Sequence, residues 1–211
     1  ITGGNHIAWA DVVSARNILD IGTGTGLISL MMAQRCNARI RAVDIDADAV
    51  EQARGNVAAS PWQDRIEVEL QDICHFTSET LFDVIVSNPP YFTDSLKCPG
   101  KQRNIARHTD FLDFDKLAGS AARSLHPEGV FSVIIPADGK ESFLMAATRY
   151  GLHLSHQTFI HTKPRSEPKR VLLAFTFSVD KCVIDDLTIE LSRHVYSEEY
   201  IALTKEFYLN M

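Results

Sequence analysis

From Asn17 onward, short apolar runs alternate with helix-length amphipathic segments. The apolar runs are rich in β-branched residues and predict strands at residues 17–21, 39–43, 66–70 and 82–87. The segments between them predict helices at residues 27–35 and 47–58. Alternation of strand and helix is typical of a parallel sheet joined by crossover helices, so the first half of the chain predicts an α/β fold.

The second half continues this alternation and then changes it. A helix is predicted at residues 114–124, a strand at 130–135 and a helix at 139–149. Two β-rich runs, 152–161 and 170–177, are joined by a charged loop and predict an antiparallel pair at the sheet edge. A last helix is predicted at residues 197–208. These runs bring the predicted sheet to seven strands, mostly parallel.

A glycine-rich loop, DIGTGTG at residues 20–26, lies directly between the first strand and the first helix. Glycine lets the backbone turn tightly and approach a ligand, and the helix N-terminus behind it offers free amides. A dinucleotide fingerprint starting at Gly22 would need a third glycine at position 27, which is Leu27. The alternating glycines with an acid two positions ahead are the arrangement associated with S-adenosylmethionine.

Acidic residues follow the next two predicted strands. Asp44 closes the second strand, where a carboxylate can accept from both ribose hydroxyls of an adenosine, and Ile45 follows it. Asp46 is predicted to cap the next helix. Asp72 could accept from the adenine amino group, with the Ile73 amide facing the ring. The alternative, that the glycines form only a turn and Asp44 and Asp72 are solvated strand ends, stays open at this point.

The fourth strand is stopped by Asn88-Pro89-Pro90-Tyr91 at its carboxyl end, where ligands bind in open α/β sheets. Methylating a delocalised nitrogen needs acceptors for both of its N–H groups, which the Asn88 side chain and the Pro89 carbonyl can supply. Pro90 stiffens the loop, and Tyr91 can stack on a planar substrate. The simpler alternative is a proline-terminated strand beside an aromatic residue.

Composition excludes several classes of protein. The 211 residues carry 21 Lys and Arg against 27 Asp and Glu, a formal net charge of -6, which argues against indiscriminate coating of nucleic acid. No apolar run approaches the roughly 18 residues of a membrane span. The four cysteines and the scattered histidines have no metal-ligand spacing, so we expect no metal and reduced thiols. We expect a cytoplasmic monomer.

These motifs resemble class I S-adenosylmethionine-dependent methyltransferases with the (D/N/S)-P-P-(Y/F/W) motif of amino-group methylation. Residues 19–35, 82–91, Ser60-Pro61-Trp62 and the Tyr-rich C-terminal helix are similar to the bacterial tRNA(Val) adenine-37 N6-methyltransferase family. The resemblance implies a Rossmann-like fold with helices on both faces of the sheet, and methyl transfer to adenine N6 in the anticodon loop of tRNA. The resemblance implies that Asp20, Gly22, Gly24, Gly26, Asp44 and Asp72 hold the cofactor and that Asn88, Pro89 and Tyr91 hold the target adenine. With their neighbours in the same motifs, Ile45 and Ile73 complete the predicted cofactor site and Pro90 completes the predicted catalytic site.

Two groups of basic residues lie on predicted loops that could flank the catalytic mouth. The first is Lys97, Lys101, Arg103 and Arg107, and the second is Lys163, Arg165, Lys169 and Arg170. In an acidic protein, such local groups suit phosphate contacts that position an anticodon arm while the pocket selects the base. Ordinary solvated loops are the alternative.

Other functions remain open from the sequence. A protein glutamine N5-methyltransferase uses the same motif on an amide. An rRNA or DNA amino-methyltransferase is also open, because the sequence does not show how the target is read. A binding module without catalysis is disfavoured because both motifs are intact. We predict one methyltransferase domain over residues 1–211, and, because the chain starts at Ile1 while the family carries more residues ahead of this point, an additional N-terminal segment.

Overall fold

The computed structural model describes residues 13–89 and 113–208. Its first part contains β1 (Asn17–Ile21), α1 (Leu27–Arg35), β2 (Arg39–Asp44), α2 (Ala47–Ala58), β3 (Ile66–Leu70) and β4 (Phe82–Ser87). Its second part contains α3 (Phe114–Ser124), β5 (Leu125–Pro136), α4 (Lys140–Arg149), β6 (His153–His161), β7 (Arg170–Thr176), β8 (Val183–Thr188), β9 (Glu190–Ser192), β10 (Val195–Tyr196) and α5 (Glu198–Thr204). Short 3₁₀ turns follow β3 at Ile73–His75 and β5 at Ala137–Gly139.

The main sheet has the strand order β3-β2-β1-β4-β5-β7-β6-β8. The strands from β3 to β5 are all parallel, as the alternation of strand and helix predicts. β7 runs antiparallel to both β5 and β6, so β6 points in the same direction as β5. β9 and β10 form a separate two-stranded sheet. The mostly parallel sheet with an antiparallel hairpin is therefore confirmed.

The sheet has eight strands rather than the predicted seven, because β8 pairs in parallel with β6. The hairpin of β6 and β7 consequently does not form the sheet edge. The sequence does not predict β8, because two aspartates, Asp185 and Asp186, occupy its middle and interrupt any apolar pattern. Its first four residues are exposed. Charged side chains are common on edge strands, where they discourage pairing with other molecules.

Helix ends follow local capping chemistry. Asp46 caps α2 as predicted, and its carboxylate accepts from the amides of Asp48 and Ala49 at 2.9 and 3.2 Å. The last helix is shorter than predicted. Ser197 caps it by accepting from the Tyr200 amide at 3.1 Å, and the helix ends at Thr204.

Helices cover both faces of the sheet, as expected. Alternation along β4 turns Ile85 to one face and Val84 and Val86 to the other. The Ile85 face packs against apolar residues of α3 and α4, whereas the opposite face packs against α1 and α2. α5 contributes Tyr200 to a third cluster with residues of β5, β6 and β7. No helix in the described ranges is long and apolar enough to cross a membrane.

The turn after α5 reaches back to the end of α1. The Gln34 side chain donates to the Glu206 carbonyl oxygen at 2.9 Å, and Arg35 forms an ion pair with the Glu206 carboxylate at 2.9 Å. The Arg35 guanidinium also lies 4.9 Å from the centre of the Phe207 ring. These contacts hold the turn after α5 against the carboxyl end of α1.

Candidate functional site

The carboxyl ends of β3, β2, β1 and β4 meet at one edge of the sheet. Ile21 is paired with Val43 on one side and with Ser87 on the other. Gly22 follows β1, Asn88 follows β4 and Asp44 is the last residue of β2, so these three residues lie side by side at a strand spacing of about 4.8 Å. The sheet register thus brings together the glycine loop, the acid at the end of β2 and the Asn-Pro motif.

The glycine loop has the backbone that its composition predicts. Gly22, Gly24 and Gly26 all have positive φ angles, of 71°, 56° and 81°. A Cβ added at Gly22 or Gly24 would meet no atom within 4 Å, so both backbones border open space. This open surface, in front of the first turn of α1, fits the close approach of a cofactor.

Asp20 lies beneath this loop and is fully buried. One carboxylate oxygen accepts from the hydroxyls of Thr23 and Ser29, both at 2.7 Å, while the other has no partner within the described residues. Burial raises the pKa of Asp20, although the two hydroxyl groups oppose that shift. The Asp20 carboxylate therefore stabilises the loop from below. The motif identified Asp20 but not Ser29, whose only signal is a polar residue on the buried side of an apolar helix.

Asp44 connects β2 to the glycine loop. Its two carboxylate oxygens accept from the Gly24 amide at 2.8 Å and from the Asp46 amide at 3.0 Å. Each carboxylate oxygen can accept more than one hydrogen bond, so Asp44 keeps acceptor capacity toward a ligand. Ile45 beside it is 64% exposed, so its side chain is accessible to a ligand at this edge of the sheet.

Asp72 caps the 3₁₀ turn after β3. Its carboxylate accepts from the Cys74 amide at 2.8 Å and contacts Nδ1 of His75 at 3.0 Å. The Cys74 amide is the main cause that lowers the pKa of Asp72. Ile73 turns its side chain into the main core. Asp72 is half-buried at the same sheet edge as Asp44.

The Asn-Pro motif follows β4 directly. The buried Ser87 hydroxyl donates to the Ile21 carbonyl oxygen at 2.9 Å, which ties the end of β4 to the start of the glycine loop. Asn88 is half-buried and Pro89 is buried. Two predicted residues of the motif, Pro90 and Tyr91, lie outside the described residues.

The first basic group, Lys97, Lys101, Arg103 and Arg107, also lies outside the described residues. The second group lies on residues 162–169, which we call the basic loop, and on the first residue of β7. Arg170 pairs with Pro136, the last residue of β5, and with Ile160, the last but one residue of β6. Because β5 and β6 point the same way as β4, the basic loop lies at the Asn88 edge. Its exposed basic residues are Lys163, Arg165 and Lys169.

Sequence reasoning missed the residue that anchors the basic loop. His161 joins the Ser166 carbonyl oxygen to Asp186 of β8. A histidine at the end of a strand beside a charged loop was the only available signal. Among the described residues, no group of three or more His, Cys, Asp or Glu side chains could hold a metal ion.

Comparison with solved structures supports the class I methyltransferase fold. A predicted O-methyltransferase from Agrobacterium tumefaciens has a TM-score of 0.73 at 18% identity, covering 96% of this chain and 93% of that one. The glycopeptide N-methyltransferase MtfA complexed with S-adenosyl-L-methionine has a TM-score of 0.58 at 14% identity, covering 77% of this chain and 87% of that one. At these identities, the likeness concerns the fold.

Comparison with known sequences is more specific. A family model described as "Methyltransferase small domain" matches residues 7–148. The tRNA1(Val) (adenine(37)-N6)-methyltransferase of Phocaeicola vulgatus is 98% identical over 204 residues, which cover 97% of this chain and 87% of the relative. Enzymes of the same name from Bacteroides fragilis and Pseudoalteromonas translucida are 51% and 44% identical, with 97% of this chain covered in both and 87% and 88% of the relatives. The chain therefore belongs to the methyltransferase small domain family and, within it, to the tRNA1(Val) (adenine(37)-N6)-methyltransferases.

Proposed function

We propose that this protein methylates N6 of adenine 37 in the anticodon loop of a valine tRNA, with S-adenosylmethionine as methyl donor. The observation that carries the proposal is the register of β1, β2 and β4, which sets Gly22, Asp44 and Asn88 side by side. The relatives named above support the choice of substrate. We further propose that residues 1–211 form one methyltransferase domain, which acts as a monomer, without a metal, in the cytoplasm.

The glycine loop and the acids beside it are proposed to hold the cofactor. Asp44 would accept from the ribose hydroxyls, and Asp72 from the adenine amino group, while Ile45 and the Ile73 amide would face the adenine ring. The backbones of Gly22 and Gly24 border the open space that the cofactor would need. Asp20 supports the loop through Thr23 and Ser29. The cofactor supplies an activated methyl group on a sulfonium.

The Asn-Pro motif is proposed to hold the nitrogen that is methylated. The Asn88 side-chain oxygen and the Pro89 carbonyl oxygen would each accept one N–H of the adenine amino group, which favours a tetrahedral nitrogen with a localised lone pair. Tyr91 would stack on the base, a contact worth about 1 to 3 kcal/mol, and Pro90 would stiffen the loop. No general base is needed, because the extra proton leaves to water after transfer. Catalysis then depends mainly on proximity and orientation.

The target adenine must leave its stack to reach Asn88, which costs least in a single-stranded loop. Phosphate contacts from the two basic groups would position the anticodon arm without selecting its sequence. These contacts are assigned to Lys97, Lys101, Arg103, Arg107, Lys163, Arg165, Lys169 and Arg170.

An Asn88→Ala substitution tests this assignment. We expect kcat on an unmodified valine tRNA transcript to fall by about a hundredfold or more, a loss typical of removing one group that stabilises the reacting atoms. Calorimetry should show the dissociation constant for S-adenosylmethionine unchanged within about twofold. Asn88→Asp keeps an acceptor at the same position and is the matched control, with activity between wild type and Asn88→Ala.

Nucleoside mass spectrometry should find N6-methyladenosine in the transcript, and a transcript with guanosine at position 37 should stay unlabelled. Parallel reactions with rRNA, DNA and a release-factor-type protein test the alternatives. Methylation of one of these in place of tRNA would refute the proposed substrate, and an active Asn88→Ala variant would refute the proposed chemistry.

A further inference from the structure

His161 is the last residue of β6 and directly precedes the basic loop. Its Nδ1 lies 2.6 Å from the Ser166 carbonyl oxygen, and its Nε2 lies 2.8 Å from Oδ1 of Asp186 on β8. The imidazole ring therefore bridges the basic loop and the edge strand. The His161 side chain is 19% exposed and the Asp186 side chain is 68% exposed, so the ring is shielded from water while its carboxylate partner is open to it.

Both contacts of the ring require it to be a cation. Carbonyl and carboxylate oxygens accept hydrogen bonds, so both ring nitrogens must donate and both must carry a proton. The hydrogen bond to Ser166 is the main cause that raises the pKa of His161, and Asp186 adds to it. The charged groups that act on the ring from the described residues are Asp186 on β8 and Glu167 in the basic loop, and both favour the imidazolium.

The shape of the basic loop depends on Ser166, the residue that His161 holds. The Ser166 hydroxyl and amide both donate to the Lys163 carbonyl oxygen, at 2.8 and 3.2 Å. Arg165, between them, has a positive φ of 61°. Residues other than glycine keep this backbone conformation only when the surrounding structure holds them in it. The backbone that carries Lys163 and Arg165 is thus fixed through Ser166 to the His161 ring.

The loop is also attached to the chain after β8. The amides of Ile189 and Glu190 donate to the carbonyl oxygens of His161 and Thr162 at 2.9 and 3.1 Å. These backbone contacts do not depend on protonation. Loss of the imidazolium should therefore release the tip of the loop, near Ser166, while its first residues stay in place.

We infer that the His161 imidazolium is a positioning residue for tRNA, which holds the basic loop in the conformation that presents its basic side chains to phosphates at the Asn88 edge. The inference rests on the proposed function, because it assigns the basic loop to tRNA. It adds that this contact is sensitive to pH, since the loop is fixed while His161 is charged and is released when the ring loses a proton.

Steady-state kinetics on valine tRNA, at saturating S-adenosylmethionine, provide the first test. We expect His161→Gln to raise KM for tRNA about fivefold, the upper range for one exposed ion pair, and to leave kcat within about twofold of wild type. His156→Gln is the matched control. His156 contacts Asp185 at 2.5 Å between the same two strands, but it lies five residues, or about 16 Å, from His161 along β6.

The pH profile separates positioning from general stability. For wild type, KM for tRNA should be constant at low pH and rise as pH passes through the pKa of His161, whereas the His161→Gln profile should be flat. Asp186→Asn removes the anionic partner and should move the rise to lower pH. Nitrogen-15 NMR of the histidine side chains should show both His161 nitrogens protonated at pH 6.5.

Three results would overturn the inference: an unchanged KM in His161→Gln, an equal effect of the two glutamine substitutions, or a His161 ring with a single proton at pH 6.5. Failure of the proposed function is distinguishable, because the wild-type protein would then leave valine tRNA unmethylated. In that case the inference falls with it. If wild type methylates tRNA and His161→Gln matches it at every pH, the inference alone is wrong.

Discussion

Thr23 and Ser29 both donate to the buried Asp20 carboxylate, so each hydroxyl stabilises the glycine loop from inside. Thr23→Val keeps the shape of the side chain but removes one donor to a buried acceptor, which typically costs about 1 to 3 kcal/mol. We expect thermal unfolding of the variant to begin several degrees below wild type. Thr25→Val in the same loop is the control, because the Thr25 side chain is exposed. Equal melting temperatures for Thr23→Val and wild type would contradict this role.

Asp44 and Asp46 are close in sequence but differ in what their carboxylates hold. Asp44 holds the glycine loop through Gly24, while Asp46 caps α2. We expect Asp44→Ala to weaken S-adenosylmethionine binding by tenfold or more, because two hydrogen bonds of roughly 1 kcal/mol each are lost. Asp46→Ala should cost about 1 kcal/mol of stability and leave the dissociation constant within about twofold. Calorimetry and thermal unfolding measure the two effects, and unaltered binding in Asp44→Ala would refute its cofactor role.

At the scale of elements, α3 and α4 are joined by one carboxylate. Asp115 accepts from Arg149 at 2.9 Å and from the Tyr150 hydroxyl at 2.7 Å, and these bonds lower its pKa, the Tyr150 bond most. A lowered folded pKa stabilises the protein above the unfolded value, about 3.9, and this stability is lost as pH falls through the folded pKa. We expect Tyr150→Phe to lower the melting temperature at pH 7 and to converge with wild type in acid. A difference that persists at pH 2 would argue against this interpretation.

Elements with strong periodicity were predictable, and those set by distant contacts were not. The bounds of α1, α2, β3 and β4 agree with the sequence prediction, because each has its own apolar pattern and a clear stop such as the Asn-Pro step after β4. β5 begins earlier than predicted, at Leu125, although it then includes Pro127, which cannot donate a hydrogen bond to a neighbouring strand. β8 has little apolar pattern of its own, and only its pairing with β6 makes it a strand.

The same distinction applies to the candidate site. The glycine loop, Asp44 and Asn88 follow from a local motif and from the rule that parallel strands end at one edge of the sheet. His161 and Asp186 are 25 residues apart and meet only through the β6–β8 register. A contact of this kind requires a strand pairing that the sequence pattern does not reveal.

On the scale of the whole molecule, a net charge of -6 means that tRNA must bind through local basic groups. Each phosphate contact from a cation contributes about 0.7 to 0.9 to the slope of log K against log salt. We expect the double variant Lys163→Ala and Lys169→Ala to reduce this slope by about 1.5. Lys181→Ala is the control, because exposed Lys181 lies between β7 and β8 at the opposite sheet edge. Filter binding at several salt concentrations measures the slope, and an unchanged slope would show that the basic loop does not contact phosphates.

The contact between the turn after α5 and the end of α1 has a kinetic consequence. The residues joined by the hydrogen bond from Gln34 to Glu206 are 172 positions apart in sequence. Such non-local contacts raise the contact order, and topologies of high contact order fold slowly because a long loop must close before its contacts are gained. We therefore expect the helix behind the glycine loop to gain its last tertiary support only after the central sheet has assembled. Recovery of cofactor binding during refolding should accordingly lag behind recovery of strand structure.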